Sequence, residues 1–348
     1  MKKNLLMLAV VLLTALLANA ETSQSVCATL NHEGTVTTFM GGNGLKEAHA
    51  AAADGDAIIL SPGTFNAVDI TKAITLRGAG APSLTLPGDI IKPAAGTYIT
   101  GNMTFNIAST EGKLTIEGCD FTDHVSFRKA PATDVFKTRI ATVGQLTNDV
   151  ASINFVHCLL YVSASGINDN TSMLNTAAYY DYFNPAVNAT NCVLIANLYN
   201  TFSYNGSTPG GGKLLNCIFL IPTFSSYSIQ PLSANCVAYN SIACSKADNN
   251  YPSYVNSFFR YCSNGTNRTY VNLTMFNAED KLPGYPFIMT EEAQQTYLGD
   301  DGTQVGIHGG ALPIDPIPDN LLVTKCSIAP KTTASGKLAI EIQVSTAK

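Results

Sequence analysis

The chain has 348 residues and a formal net charge of −5, with only 13% Asp, Glu, Lys and Arg, against about a quarter in an ordinary soluble domain. The lack of a basic excess argues against a nucleic-acid binder, 46% hydrophobic residues argue against disorder, and scarce charge argues against long exposed helices. What remains is a large strand-rich body with a polar, weakly charged surface, in which 29 asparagines need a cause.

Lys2 and Lys3 precede an apolar run from Leu5 to Leu17, followed by the small residues Ala18-Asn19-Ala20. This is the order of a secretory signal peptide. The run is shorter than the roughly 20 apolar residues of a spanning helix, and no second long apolar run follows. Cys27 lies downstream without a lipoprotein box. The expectation is a signal peptide over 1–20, cleavage after Ala20, no membrane span, and a soluble mature chain that is periplasmic or extracellular. Residues 21–56 read as an N-terminal cap. Thr35–Phe39 is a short strand, Gly41-Gly42-Asn43-Gly44 breaks it, and Leu45 to Ala53 is a helix with Leu45, Ala48, His49 and Ala52 on one face.

From Ala57 onward, short β-rich segments alternate with Pro-Gly and Gly-rich turns. The nine cysteines are an odd number, and small disulfide frameworks serve chains too short to build a core. Their contexts say more. Gly118-Cys119, His157-Cys158, Asn191-Cys192, Asn216-Cys217 and Asn235-Cys236 share one local frame, with apolar residues three before and two after most of the cysteines. Gly and Asn tolerate the left-handed α conformation, and His is enriched there. Each frame therefore reads as strand, one left-handed bend residue, strand, with the cysteine inward as a small hydrophobe. A recurrence near 19–25 residues marks a solenoid. Residues 122–150 and 161–186 read as loop insertions that widen the first two intervals. The five bend residues and five cysteines are assigned to a structural ladder.

The run from Asp54-Gly55-Asp56 through Ser61-Pro62-Gly63-Thr64-Phe65 to Ile74-Thr75-Leu76-Arg77-Gly78-Ala79-Gly80 resembles the opening coils of secreted right-handed parallel β-helix proteins, the pectate-lyase-like superfamily. Similar proteins are common among secreted proteins of Gram-negative gut bacteria. Asp301-Gly302-Thr303-Gln304-Val305-Gly306-Ile307-His308-Gly309-Gly310 resembles the motif that closes the helix in such proteins. The resemblance implies an all-β fold: a right-handed parallel β-helix over 57–312 with a helical N-terminal cap. Residues 313–348 read as an extended connector and a β-hairpin built from Leu321 to Ile328 and Lys337 to Val344.

The outward residues after the cysteines are Asp120, Leu159, Val193, Ile218 and Val237. Four of the five are apolar where a solvent-facing strand should be polar. Something must cover this face from about Leu159 onward, and the aromatic-rich 245–300 segment and the C-terminal hairpin are the candidates. Left bare, the stripe would be a contact surface for a protein partner.

The densest charge cluster is Glu117, Asp120, Asp123, His124, Arg128, Lys129, Asp134, Lys137 and Arg139, in a region read as a loop. Within it Asp120, Asp123, Arg128 and Lys129 are the catalytic candidates. Polysaccharide lyases of this fold hold calcium with clustered carboxylates and use Lys or Arg as base, so the lyase alternative carries Ca2+; no other cofactor is expected and no metal site is assigned. Tyr179, Tyr180 and Tyr182 are candidates for stacking on sugar rings. The sequence is read as a non-catalytic, glycan-facing surface or periplasmic protein with a polysaccharide as partner. The alternatives are a lyase acting on uronate-containing glycans and a structural adhesin that binds a protein.

Overall fold

The computed structural model describes residues 26–81, 96–109, 111–147, 149–165, 170–180, 187–196, 212–221, 237–245, 263–264, 268–276, 285–314, 321–328 and 340–346. The fold is an all-β parallel solenoid. Among the described residues, one long sheet has twelve strands and a second has eleven. Inward residues stack coil on coil in the first sheet: Leu76 beside Ile116, Val135, Phe155, Met173, Ala189, Leu214 and Ala238. All are buried, as expected of a parallel sheet whose inner face lines a continuous core. Phe105 stacks on Phe127 with ring centroids 4.8 Å apart, and Phe155 meets Phe127 edge-on.

The cap is an antiparallel hairpin, Cys27–His32 with Thr35–Met40, and the helix Gly44–Ala51. Leu45, Ala48, His49 and Ala52 are buried beneath the helix. The carbonyls at its C-terminal end are satisfied from the first coil, because Lys72 Nζ donates to His49, Ala50 and Ala52 oxygens at 2.7, 3.0 and 2.6 Å. Cationic donors suit that end of a helix. His32 Nδ1 lies 2.9 Å from both Asp56 carboxylate oxygens, and Asp56 also accepts the Ala53 N–H at 2.6 Å.

The corner between the two sheets is a single left-handed residue. Gly118, His157, Asn191 and Asn216 have φ of 65, 55, 51 and 53°. Three further corners carry no cysteine. Lys137, Asn175 and Asn240 have φ of 45, 45 and 47° and are followed by Thr138, Thr176 and Ser241. Residues 122–150 and 161–186 are therefore not loop insertions where they are described. The first contains strands Thr133–Phe136 and Arg139–Leu146, and the second Thr171–Leu174 and Ala177–Tyr180. Each supplies a coil of its own. Near the end of the solenoid the corner is Asn240-Ser241, and Val237–Tyr239 is the strand that enters it. Val237 therefore lies on the strand that precedes a bend. Asn235 and Cys236 lie outside the described residues, as do 1–20.

The side chain after each bend is small and carries an oxygen or sulfur at γ. Thr138, Thr176 and Ser241 accept the N–H of Cys119, Cys158 and Cys217 at 3.4, 3.2 and 3.1 Å, linking successive coils at the corner. At the far end of the chain, Leu321–Ile328 and Ile340–Thr346 pair antiparallel.

Candidate functional site

Outward side chains of the second sheet form two columns. One runs Asp120, Arg139, Leu159, Ala177, Val193, Ile218, Ile242, and the other Tyr161, Tyr179, Ile195, Leu220, Cys244. The apolar part is covered. The 3-10 helix Leu273–Phe276 and the segment 285–314 pack Leu273, Met275, Phe276, Phe287, Met289, Ala293, Val305, Ile307 and Ile314 against Leu159, Ala177, Val193, Ile195, Ile218, Leu220, Ile242 and Cys244. This second core lies outside the solenoid, separate from the one inside it. Val193 and Ile218 are 0% and 1% exposed, so they offer no surface for an adhesin's partner.

The bend residues hold this strap. Asn175 Nδ2 donates to the Ile307 and Gly309 carbonyls at 2.9 and 2.7 Å. Asn216 Nδ2 donates to Asp300 Oδ1 at 2.8 Å, and its Oδ1 accepts the Asp300 N–H at 3.2 Å. His157 Nε2 lies 2.7 Å from Leu312 O; burial holds its imidazole below the ordinary value, against the upward pull of that hydrogen bond. The strap's glycines are required by this closeness. A Cβ on Gly310, whose φ is +81°, would lie 1.8 Å from Asn191 Nδ2, and one on Gly306 2.5 Å from Ile218 Cδ1. Asp300 is thus a structural partner of a bend asparagine.

The nine-residue charge cluster is dispersed. Asp120 is buried and paired with Arg139 Nη1 at 2.7 Å. Asp123 accepts the Gly101 N–H at 2.8 Å and the Thr122 hydroxyl at 2.9 Å, which hold its carboxyl below the usual range. Asp134 and Glu117 lie on the other sheet. Asp134 meets Lys113 at 2.5 Å and Asn154 at 2.9 Å, and Glu117 meets Arg77 at 2.7 Å. The four catalytic candidates occupy a single strand, Cys119–Lys129. From Asp120 to Lys129 is roughly 25–30 Å of strand contour. Lys129 accepts the Ile107 N–H at 2.7 Å through its carbonyl, and Arg128 accepts the Thr147 hydroxyl in the same way. Among the described residues, no group of three or more His, Cys, Asp or Glu is placed to hold a metal ion, and no helix is long and apolar enough to cross a membrane.

The aromatic candidates separate by strand parity. Tyr180 points inward, is 1% exposed, and has its hydroxyl 3.6 Å from Met173 Sδ; it is a core residue and offers no ring to a ligand. Tyr182 lies outside the described residues. Tyr179 points outward and stacks on Tyr161, with centroids 4.6 Å apart and planes 6° from parallel. Burial raises the Tyr179 phenol to about 12. Phe287 of the strap closes one end of the stack, 6.5 Å from Tyr179. Arg139 closes the other, its Cζ 5.9 Å from the Tyr161 centroid. Tyr161 is 39% exposed.

No family model, curated protein or solved structure matches this chain.

The site therefore rests on its own residues: an outward ladder Asp120–Arg139–Tyr161–Tyr179 at the rim of the strap. Of its side chains, Arg139 stands in the sequence only as a member of the charge cluster, and Tyr161 is not singled out there, although it lies in an alternating run that places it outward. Beyond Phe287 the strap opens into a cavity of about 270 Å³ lined by Ile288, Met289, Gln294, Gln304, His308 and Pro313, among others. Gln304 Nε2 donates to the His308 carbonyl at 3.2 Å, while its buried Oε1 has no hydrogen-bond partner.

Proposed function

We propose that this chain is a secreted, non-catalytic glycan-binding protein whose ligand lies against the exposed edge and hydroxyl of Tyr161 at the rim of the strap. One observation carries the reading: Tyr161, more than a third exposed, is held flat between Tyr179 and the Arg139 guanidinium. A ring fixed on both faces loses little freedom when a ligand meets its open edge, and an amphipathic ring with a polar hydroxyl suits a ligand that has both C–H groups and hydroxyls. Arg139 is in turn oriented by Asp120, so the carboxylate positions the platform.

The test is binding to a panel of soluble glycans that includes pectin and other uronate polymers, with the absorbance of unsaturated products recorded on the same samples. Tyr161→Ala should weaken binding about tenfold, a loss of about 1.4 kcal/mol, at unchanged melting temperature. Binding unaffected by Tyr161→Ala would overturn the platform. Calcium-dependent release of unsaturated products, abolished by Asp120→Asn or Asp123→Asn, would replace the binding protein with a lyase. Secretion has its own test: the N-terminus of the exported protein should be Glu21, and a start at Cys27 would indicate a lipid-anchored chain instead.

A further inference from the structure

Among the described residues, seven coils place one small, fully buried side chain directly after the bend: Cys119, Thr138, Cys158, Thr176, Cys192, Cys217 and Ser241. Cysteine and threonine alternate along this column until Cys192, where two cysteines fall on adjacent coils. Their register is fixed on both sides, before the bends by the parallel pair Thr190 and Leu215. Val193 pairs in parallel with Ile218, and the Ile218 N–H donates to the Cys192 carbonyl at 2.9 Å. Residues side by side on neighbouring parallel strands are about 4.8 Å apart, inside the roughly 4.4–6.8 Å between Cα atoms that a disulfide spans. Cys119 and Cys158, and Cys158 and Cys192, have a threonine coil between them. Their separation of about two strand spacings, ~9.6 Å, exceeds the ~7 Å beyond which no bridge closes. The Cys217 thiol also leans toward the coil of Cys192, with Sγ 3.5 Å from the Ala189 carbonyl. Burial and then contact with the Cys192 side chain push that thiol well above its ordinary value.

The structure holds Cys192 and Cys217 as free thiols; we propose that oxidation joins them in a disulfide across two coils, while the intervening threonines keep Cys119 and Cys158 from pairing. The oxidant is an exchangeable disulfide, from an oxidoreductase or from oxidised glutathione. One cysteine thiolate attacks a sulfur of that disulfide and gives a mixed disulfide. The other then attacks the protein sulfur of the mixed disulfide. The pair gives up two electrons and two protons, and the oxidant leaves as two thiols. Both cysteines are sealed in the core once the coils stack, so exchange takes place during folding and the finished bond is shielded from reductants. The bond ties the coil of Asn191 to the coil of Asn216, the bends against Gly310 and Asp300 of the strap.

The test needs no variant to begin. The full chain, refolded in oxidised and reduced glutathione or exported through an oxidising compartment, is denatured in an alkylating agent without reductant and mapped by mass spectrometry. The expected result is a peptide pair joined at Cys192 and Cys217, lighter by two hydrogens than the reduced pair, with Cys119 and Cys158 alkylated. Alkylation of both Cys192 and Cys217, or a bond from either to another cysteine, would overturn the proposal. Cys217→Ser provides the second arm, since Ser241 occupies the same position on the next coil. Reduction before refolding should lower the melting temperature of the wild type and leave that of Cys217→Ser unchanged. An equal shift in both proteins would also overturn it.

Discussion

The second sheet has two stretches that differ in what their outward side chains meet. Around Asp120, Arg139 and Tyr161 the outward residues are polar or aromatic, and Arg139 and Tyr161 reach solvent. From Leu159 through Ala177, Val193 and Ile218 to Ile242 they are aliphatic and lie beneath the strap. The backbone is the same in both, a parallel ladder turned by left-handed single residues. The bends differ in the same way. Gly118 and Lys137, on the open stretch, only turn the chain, whereas His157, Asn175 and Asn216 also bond the strap. A bend residue with an amide or imidazole thus does two jobs, and this accounts for asparagine at the covered corners. It teaches that the outward column of a solenoid records where a second layer will sit.

The comparison breaks most visibly if a charge is placed on each stretch. Val193→Asp buries an unpaired carboxylate under the strap and should destabilise the chain by more than about 3 kcal/mol, while Tyr161→Asp should change stability by no more than about 1 kcal/mol; denaturant titration of both variants measures the contrast. Asn216→Ala removes a residue suited to the left-handed conformation together with the amide pair to Asp300. The expected loss is about 2–3 kcal/mol, of which Asn216→Gly should restore the conformational part, about 1 kcal/mol. Lys137→Gly goes the other way, because a lysine at φ 45° with no strap to hold is strained, and the variant should gain about 1 kcal/mol. The smallest effect is on pH dependence. The folded chain disfavours the His157 imidazolium, so the unfolded chain takes up the proton first and stability is lost as pH falls below about 6.5. His157→Asn keeps the bend and should flatten that slope in melting curves recorded from neutral to mildly acidic pH.

Much of the solenoid was legible because cysteine followed four of the described bends. Wherever threonine or serine took the same place, the repeat was invisible. Lys137-Thr138 and Asn175-Thr176 carry no cysteine to mark them, so two full coils read as loops. The physical requirement is a small side chain with a polar γ atom facing the corner of the next coil, and cysteine meets it no better than threonine. The same slip misplaced Tyr180. Once Asn175 is the bend, Ala178 and Tyr180 point inward and Tyr179 outward. The need for a cover could be read from Leu159, Val193 and Ile218. That the cover includes the closing glycine motif could not, because Gly306 and Gly310 announce close approach without naming what they approach. The charge cluster looked dense only in sequence; a strand that turns a corner and two facing sheets distribute it among separate ion pairs and hydrogen bonds.

Hydrogen exchange read by mass spectrometry tests the strap most directly. The Gly306 N–H donates to the Asn216 carbonyl at 2.8 Å and the Ile314 N–H to the Ile307 carbonyl at 2.8 Å. Peptides covering 299–314 should therefore be protected to within the range of the strand Val193–Ala196 beneath them, and Asn216→Ala should release them together. Exchange of 299–314 at the rate of an open peptide, with Val193–Ala196 still protected, would contradict a docked strap and leave the aliphatic column without its cover.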